Sequence, residues 1–191
     1  MIAACALGIG VAVGVTPTPA LAEAPVDIHA VDTLMRDLIA TYHVPGAALA
    51  LIKRGEVVLE KGYGFRHLTT HAPVTAHTLF NIGSISKSFT ALGISQLVDQ
   101  HKLDLDAPII DYAPDVRLSD PRRTRSVTLR QLLSHTSGLP PDEEWPGQVP
   151  ASRRGIVREF ATMPITAQPG TRFQYCSRCV VLAAYVLERI S

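Results

Sequence analysis

Ser84-Ile85-Ser86-Lys87 sets a hydroxyl and an amine three residues apart. A serine hydroxyl is a poor nucleophile until a base takes its proton. On a helix, a lysine three residues further on shares the serine's face, with Cβ atoms about 5–6 Å apart, so its amine reaches the hydroxyl. The chemistry on offer is nucleophilic attack by Ser84 with Lys87 as its activating partner. Lys87 must then be partly neutral. A free lysine titrates near about 10.4, so burial or a neighbouring cation has to lower it. At a helix start, Ser84 also sits where backbone N–H groups point outward, and one of these suits an oxyanion hole. As a bare pattern the pair is weak: eleven Ser and four Lys in 191 residues give about 0.2 chance matches. A helix N-cap serine followed by a solvated lysine explains it equally well.

The elements that must position the pair favour the chemical reading. Residues 84–101 read as a helix in which Ile85, Phe89, Leu92 and Val98 form one apolar stripe, widened by Ala91, Ile94 and Leu97. Apolarity nearly all round predicts a buried central helix, and so a partly buried Lys87. A buried lysine beside a capping serine is costly, which argues for a function. Before it, residues 27–43 carry Ile28, Val31, Leu34, Leu38 and Ile39 at helical spacing. Residues 46–53 and 56–63 read as a β-hairpin around Arg54-Gly55, its far end loosened by Gly62 and Gly64, with a polar loop over 65–79. After it come a turn-rich stretch (104–114), a short helix (128–135), a Pro-rich loop with Trp145 (140–151), a helix (152–163), a turn (169–171) and a last helix (177–190). A two-stranded sheet is marginal alone, and both strands are apolar throughout, so further strands belong beside them.

Composition bounds the rest. Hydrophobic residues make up 47% and charged residues 18%, enough for a real core in one domain. The net charge of +1 supplies no field to draw in nucleic acid. The densest basic stretch, Arg117 to Arg130, has no aromatic residues and reads as a solvated loop. Ile2 to Val15 is an uncharged apolar run followed by Ala20-Leu21-Ala22, which reads as a secretory signal peptide over residues 1–22. The run is short for a membrane span. The mature chain is therefore expected to be periplasmic or secreted, with no stable membrane insertion. Cys176 and Cys179 form a C-x-x-C with no second pair. This reads as a chance pair, with a local disulfide open to it in an oxidising compartment. No metal and no cofactor are expected.

Asn81-Ile82-Gly83-Ser84-Ile85-Ser86-Lys87-Ser88-Phe89-Thr90 resembles the active-site motif of class C β-lactamases and their relatives: D-Ala-D-Ala carboxypeptidases, family VIII esterases and D-amino-acid amidases. Further blocks agree in order. Val44-Pro45-Gly46-Ala47-Ala48 resembles the approach to the family's first strand, and Gly62-Tyr63-Gly64 the end of its second. Leu132 to Leu139 resembles its L-L-x-H-x-S-G-L segment, and Pro169 to Tyr175 its P-G-x-x-F-x-Y segment. The resemblance covers about residues 27–191. It implies an α/β (α+β) fold, the β-lactamase/transpeptidase-like sandwich, with an antiparallel sheet flanked by helices and a helical subdomain. It implies a serine hydrolase acting through an acyl-enzyme on a β-lactam, a D-Ala-D-Ala peptide or a small ester.

The resemblance also gives Tyr175 a role, since in the family the tyrosine of Y-x-N shares proton transfer with the motif lysine. It makes Ser177 a substrate-binding position, but the family's Asn is here a serine, shorter and without an amide's two donors. That change leans the reading toward esters. His135 reads as a residue that orients a loop, with Gly138 permitting the turn. The family's third motif, K-T-G or H-x-G, does not occur. Residues 23–191 are therefore expected to be the N-terminal part of the hydrolase domain, without its C-terminal strands. A truncated or degenerate homologue without catalysis is the alternative.

Overall fold

In the computed structural model, which describes residues 25–145 and 152–191, Asp27 opens the first helix, α1 (Ile28–Thr41), by accepting a hydrogen bond from Ala30 N–H at 3.0 Å. The predicted signal peptide lies outside the described residues. Strands β1 (Gly46–Lys53) and β2 (Glu56–His67) pair antiparallel, from Gly46 opposite Gly64 to Lys53 opposite Glu56. Their turn is Arg54-Gly55, with φ of 53° and 82°, the two positive values that suit the twist of a tight hairpin.

The expected loop over 65–79 is partly strand. β2 runs on to His67, and β3 (Ala72–Pro73) pairs with it in a three-stranded sheet of order β1-β2-β3. Gly62 does not loosen this end; it admits the backbone of Val74 and Thr75, just past β3. A Cβ there would fall 2.3 Å from the Val74 carbonyl oxygen. A proline is tolerated in β3 because the strand lies at the sheet edge. A polar cluster joins α1 to β2: Asp32 accepts hydrogen bonds from Lys61 Nζ at 2.6 Å and Tyr63 Oη at 2.9 Å. Lys61 foremost, then Tyr63, holds the Asp32 carboxyl down at about 2. These elements form one compact unit ending at Phe80, and the rest of the chain, 81–191, forms a second.

The second unit is helical: α2 (Ser86–Asp99), α3 (Pro121–Thr124), α4 (Leu129–Leu133), α5 (Arg153–Glu159) and α6 (Ser177–Ile190). Each start has a chemical cause. Asp120 caps α3 with Pro121 in its first turn, Thr128 and Gln131 form a reciprocal capping box on α4, and Ser152 caps α5. α6 is the hub. Its Cys179, Val180, Leu182, Ala183, Tyr185 and Val186 are buried, and it packs on α2, α4 and α5. Ile94 and Leu97 of α2, Leu129 and Leu132 of α4, and Ile156, Val157 and Phe160 of α5 and its C-cap meet it in one core.

One expectation needs correction. α2 is not buried all round: Ile94 and Leu97 are, but Phe89 is 63% exposed and Leu92 is exposed too. Its buried and half-buried residues, Lys87, Thr90, Ala91, Gly93, Ile94, Leu97 and Val98, follow a helical stripe. Neighbours within the second unit cover that stripe and leave the opposite face open. The helix proper also starts two residues later than Ser84, after a 3₁₀ turn over Gly83–Ile85.

Candidate active site

Ser84 lies in the 3₁₀ turn and Lys87 in the first turn of α2. The i, i+3 spacing delivers the expected contact: Lys87 Nζ donates to Ser84 Oγ at 2.9 Å. On the other side of Ser84 stands Tyr175, its Oη 2.8 Å from Ser84 Oγ. Lys87 Nζ lies 4.9 Å from the centre of the Tyr175 ring. A hydroxyl thus sits between an amine and a phenol. Lys87, then Ser84, and in smaller measure Ser177, pull the Tyr175 hydroxyl below the ordinary phenol range. That is the direction a proton acceptor needs.

Two different devices hold the partners. Ser84 and Lys87 are fixed locally, by one turn of backbone, with Gly83 N–H donating to Asn81 Oδ1 at 2.8 Å. Tyr175 lies on an extended stretch clamped at successive peptide groups. Gln174 N–H donates to the His135 carbonyl at 2.8 Å. The Tyr175 carbonyl accepts from Asp142 N–H at 3.1 Å. Cys176 N–H donates to His135 Nδ1 at 3.2 Å, and Ser177 N–H to Asp142 Oδ1 at 2.7 Å. The His135 ring also lies against Tyr175, centroid to centroid 4.7 Å, and edge-on to Phe173 at 5.6 Å.

His135 is therefore an orienting residue, as its sequence context suggests. Burial, reinforced by Lys87, pushes its pKa below the usual histidine value. The neutral ring accepts at Nδ1, which puts its proton on Nε2. Its loop needs Gly138: φ is 79°, and a Cβ would meet the Ala167 carbonyl oxygen at 2.1 Å. Gly170 N–H, donating to the Thr136 carbonyl at 2.7 Å, pins the same loop to the turn before Phe173.

Ser177 does not touch Ser84 directly. It lines a cleft of about 260 Å³ between α2 and α6 with Lys87, Thr90, Val181 and Arg153. Arg153 at this cleft is ion-paired with Glu188. A larger cavity of about 470 Å³, between Ile110 and Arg125, is lined by none of Ser84, Lys87, Tyr175 and Ser177. Sequence reasoning missed two features of the site. Asp142 lies in a stretch that composition marks as a Pro-rich loop, and an Asp just after Pro140-Pro141 is a common turn former. Cys176 and Cys179 are not a chance pair: they are joined in a disulfide, because the extended Cys176 and the first turn of α6 bring their Cα atoms to 5.3 Å.

Among the described residues, no group of three or more His, Cys, Asp or Glu is placed to hold a metal ion, and no helix is long and apolar enough to cross a membrane.

The family model described as Beta-lactamase matches residues 31–191. The unguisins hydrolase ungD' of Aspergillus campestris is 33% identical over 168 residues, covering 83% of this chain and 31% of the fungal protein. The octameric penicillin-binding protein homologue from Pyrococcus abyssi superposes with a TM-score of 0.73 at 30% identity, covering 86% of this chain and 39% of that one. The D-alanine carboxypeptidase AmpC from Burkholderia cenocepacia gives 0.70 at 26% identity, covering 85% and 43%. The chain spans about a third of the length of the curated relatives it matches.

Proposed function

The chain belongs to the beta-lactamase family, and on that premise we propose that it is the part of a serine hydrolase that carries the nucleophile and its proton-transfer partners. The observation that supports this most is the placement of Ser84 Oγ at 2.9 Å from Lys87 Nζ and 2.8 Å from Tyr175 Oη. Tyr175, its acidity raised by Lys87, takes the Ser84 proton as Oγ attacks the substrate carbonyl carbon. The tetrahedral species collapses when the leaving group accepts that proton from Tyr175, leaving an acyl group on Ser84. Water, deprotonated along the same route, releases the acid. Lys87 shares this work with Tyr175: its Nζ, 2.9 Å from Ser84 Oγ and 4.9 Å from the centre of the Tyr175 ring, steadies the charge that develops on the phenol oxygen.

Ser177, at the cleft beside Lys87, supports a preference for small esters over amides. A hydroxyl there has one donor and a shorter reach than the family's amide. β-Lactams and D-Ala-D-Ala peptides are the other substrate classes that the relatives bring into view. The reaction belongs outside the cytoplasm in this reading, supported by the apolar leader of residues 1–22 and by the disulfide.

Incubation of the purified protein with a fluorophosphonate and with a fluorescent penicillin, followed by peptide mapping, tests the proposal. The expected result is an adduct on Ser84 that Ser84→Ala abolishes. No adduct, or one that survives the substitution, overturns it. Faster turnover of a nitrophenyl butyrate than of a chromogenic cephalosporin or a D-Ala-D-Ala peptide supports the ester preference; the reverse order removes it.

A further inference from the structure

The Cys176–Cys179 bridge spans a sequence separation of three. Crosslinks that act on the unfolded chain stabilise least when the loop they close is short. Global stability is thus a poor reason for this one, and its position offers a better reason. Cys176 lies between Tyr175 and Ser177, and its N–H is one of the clamping donors to His135. Its Sγ accepts from Cys179 N–H at 3.0 Å, so it is also the N-cap of α6. Cys179 Sγ lies 3.6 Å from Ser137 Oγ, in the loop that carries His135. The bridge therefore fastens the extended Cys176, at φ −135° and ψ 98°, to the first turn of a helix locked in the core.

We propose that the Cys176–Cys179 disulfide is a positioning device for Tyr175 and Ser177, so that acylation of Ser84 runs at full rate only in the oxidised protein. The proposal rests on the serine-hydrolase reading above. A dithiol reductant opens the bridge by exchange. Its thiolate attacks one cysteine sulfur and the other leaves as a thiol; its second thiol then displaces the first cysteine. Two cysteine thiols and one oxidised dithiol result. Unbonded sulfurs must move apart to van der Waals contact, and Cys176 and Cys179, 1% and 0% exposed, must do so within the packed interior. The backbone at 176 shifts to make room, and Tyr175 shifts with it. Because both sulfurs are buried, exchange proceeds through local opening of the 175–179 turn.

The test compares the oxidised protein with protein reduced in denaturant and refolded with dithiothreitol, the two extra protons verified by mass. Two readouts are taken: the rate of fluorophosphonate labelling at Ser84, and the titration of Tyr175 by ultraviolet difference against Tyr175→Phe. Misplacement of a reacting group by about 1 Å can cost about a hundredfold. Reduction is expected to slow labelling by about tenfold or more and to move the Tyr175 titration up toward the ordinary phenol range. Re-oxidation reverses both. An unchanged rate and titration in the reduced protein overturn the proposal. So does failure of the reduced protein to refold, which makes the bridge a purely structural crosslink. If neither form labels Ser84, the hydrolase reading fails, while the Tyr175 titration still decides the positioning claim.

Discussion

The two units of this chain are held together by different physics. In residues 25–80, Tyr63 and Val74 are the buried hydrophobic side chains among the described residues, while Ile52, Val57 and Phe65 stay exposed. The side-chain tie from α1 to β2 there is ionic, Asp32 to Lys61 with Tyr63 alongside. In residues 81–191 a continuous apolar core gathers around α6, with Phe160, Leu129, Leu132 and Leu182 fully buried. Ser84, Lys87 and Tyr175 all belong to this second unit. The contrast teaches where precision resides. Packed interiors tolerate little displacement, so the residues aimed at one another to within hydrogen-bonding distance are those mounted on the packed unit.

The largest expected effect breaks that core. Phe160→Ala removes a side chain that is 0% exposed and stacked edge-on against Trp145 at 5.0 Å. Substitutions of this kind cost about 3–5 kcal/mol, to be read by denaturant unfolding. A cost below about 1 kcal/mol would mean that the second unit does not depend on its apolar core. Gly138→Ala comes next. It forces a side chain into a left-handed conformation and against Ala167, so a loss of about 1–3 kcal/mol is expected. Labelling of Ser84 should slow with it, because the loop carrying His135 clamps Tyr175. Unaltered labelling would separate loop strain from the site.

The smallest effect belongs to the first unit. Asp32→Asn should weaken hydrogen-exchange protection in α1 and β2 and leave 81–191 unchanged. The acid dependence has a definite sign. The Asp32 carboxyl is held down at about 2 in the folded chain and titrates near about 3.9 when unfolded. Its contribution is therefore complete above about pH 4 and fades as pH falls toward about 2. Exchange measured across that range should show the first unit loosening, and Asp32→Asn should lose the dependence. Equal loosening of both units would erase the contrast.

Local features were legible in the sequence because they are set by neighbours a few residues away. The last helix, predicted over 177–190, stands at Ser177–Ile190. The hairpin turn at Arg54-Gly55 follows from its own residues, and Lys87 meets Ser84 by helix geometry alone. Tyr175 is 91 residues from Ser84, and spacing says nothing about such a meeting; the family resemblance supplied it. The clamp was illegible for the same reason. It joins 174–177 to 135 and 142, with backbone N–H groups donating to the His135 ring and the Asp142 carboxylate across sequence separations of 41 and 35. Periodicity overstated the burial of α2, because an apolar face states what a helix can cover and not what packs on it. The disulfide was misjudged because a C-x-x-C becomes a bridge only when the chain geometry at its first cysteine is known.

The central claim is that Ser84 is activated by Tyr175 under the influence of Lys87, and the pH dependence of Ser84 labelling tests it most directly. On that claim the phenolate is the active form, so the rate should rise with pH along a limb centred below the ordinary phenol value of about 10, the direction in which Lys87 moves Tyr175. Tyr175→Phe should remove that limb and slow labelling by about 10²–10⁴. Lys87→Met should shift the limb to higher pH. A limb that persists unchanged in Tyr175→Phe, or a rate that neither substitution alters, would contradict the account.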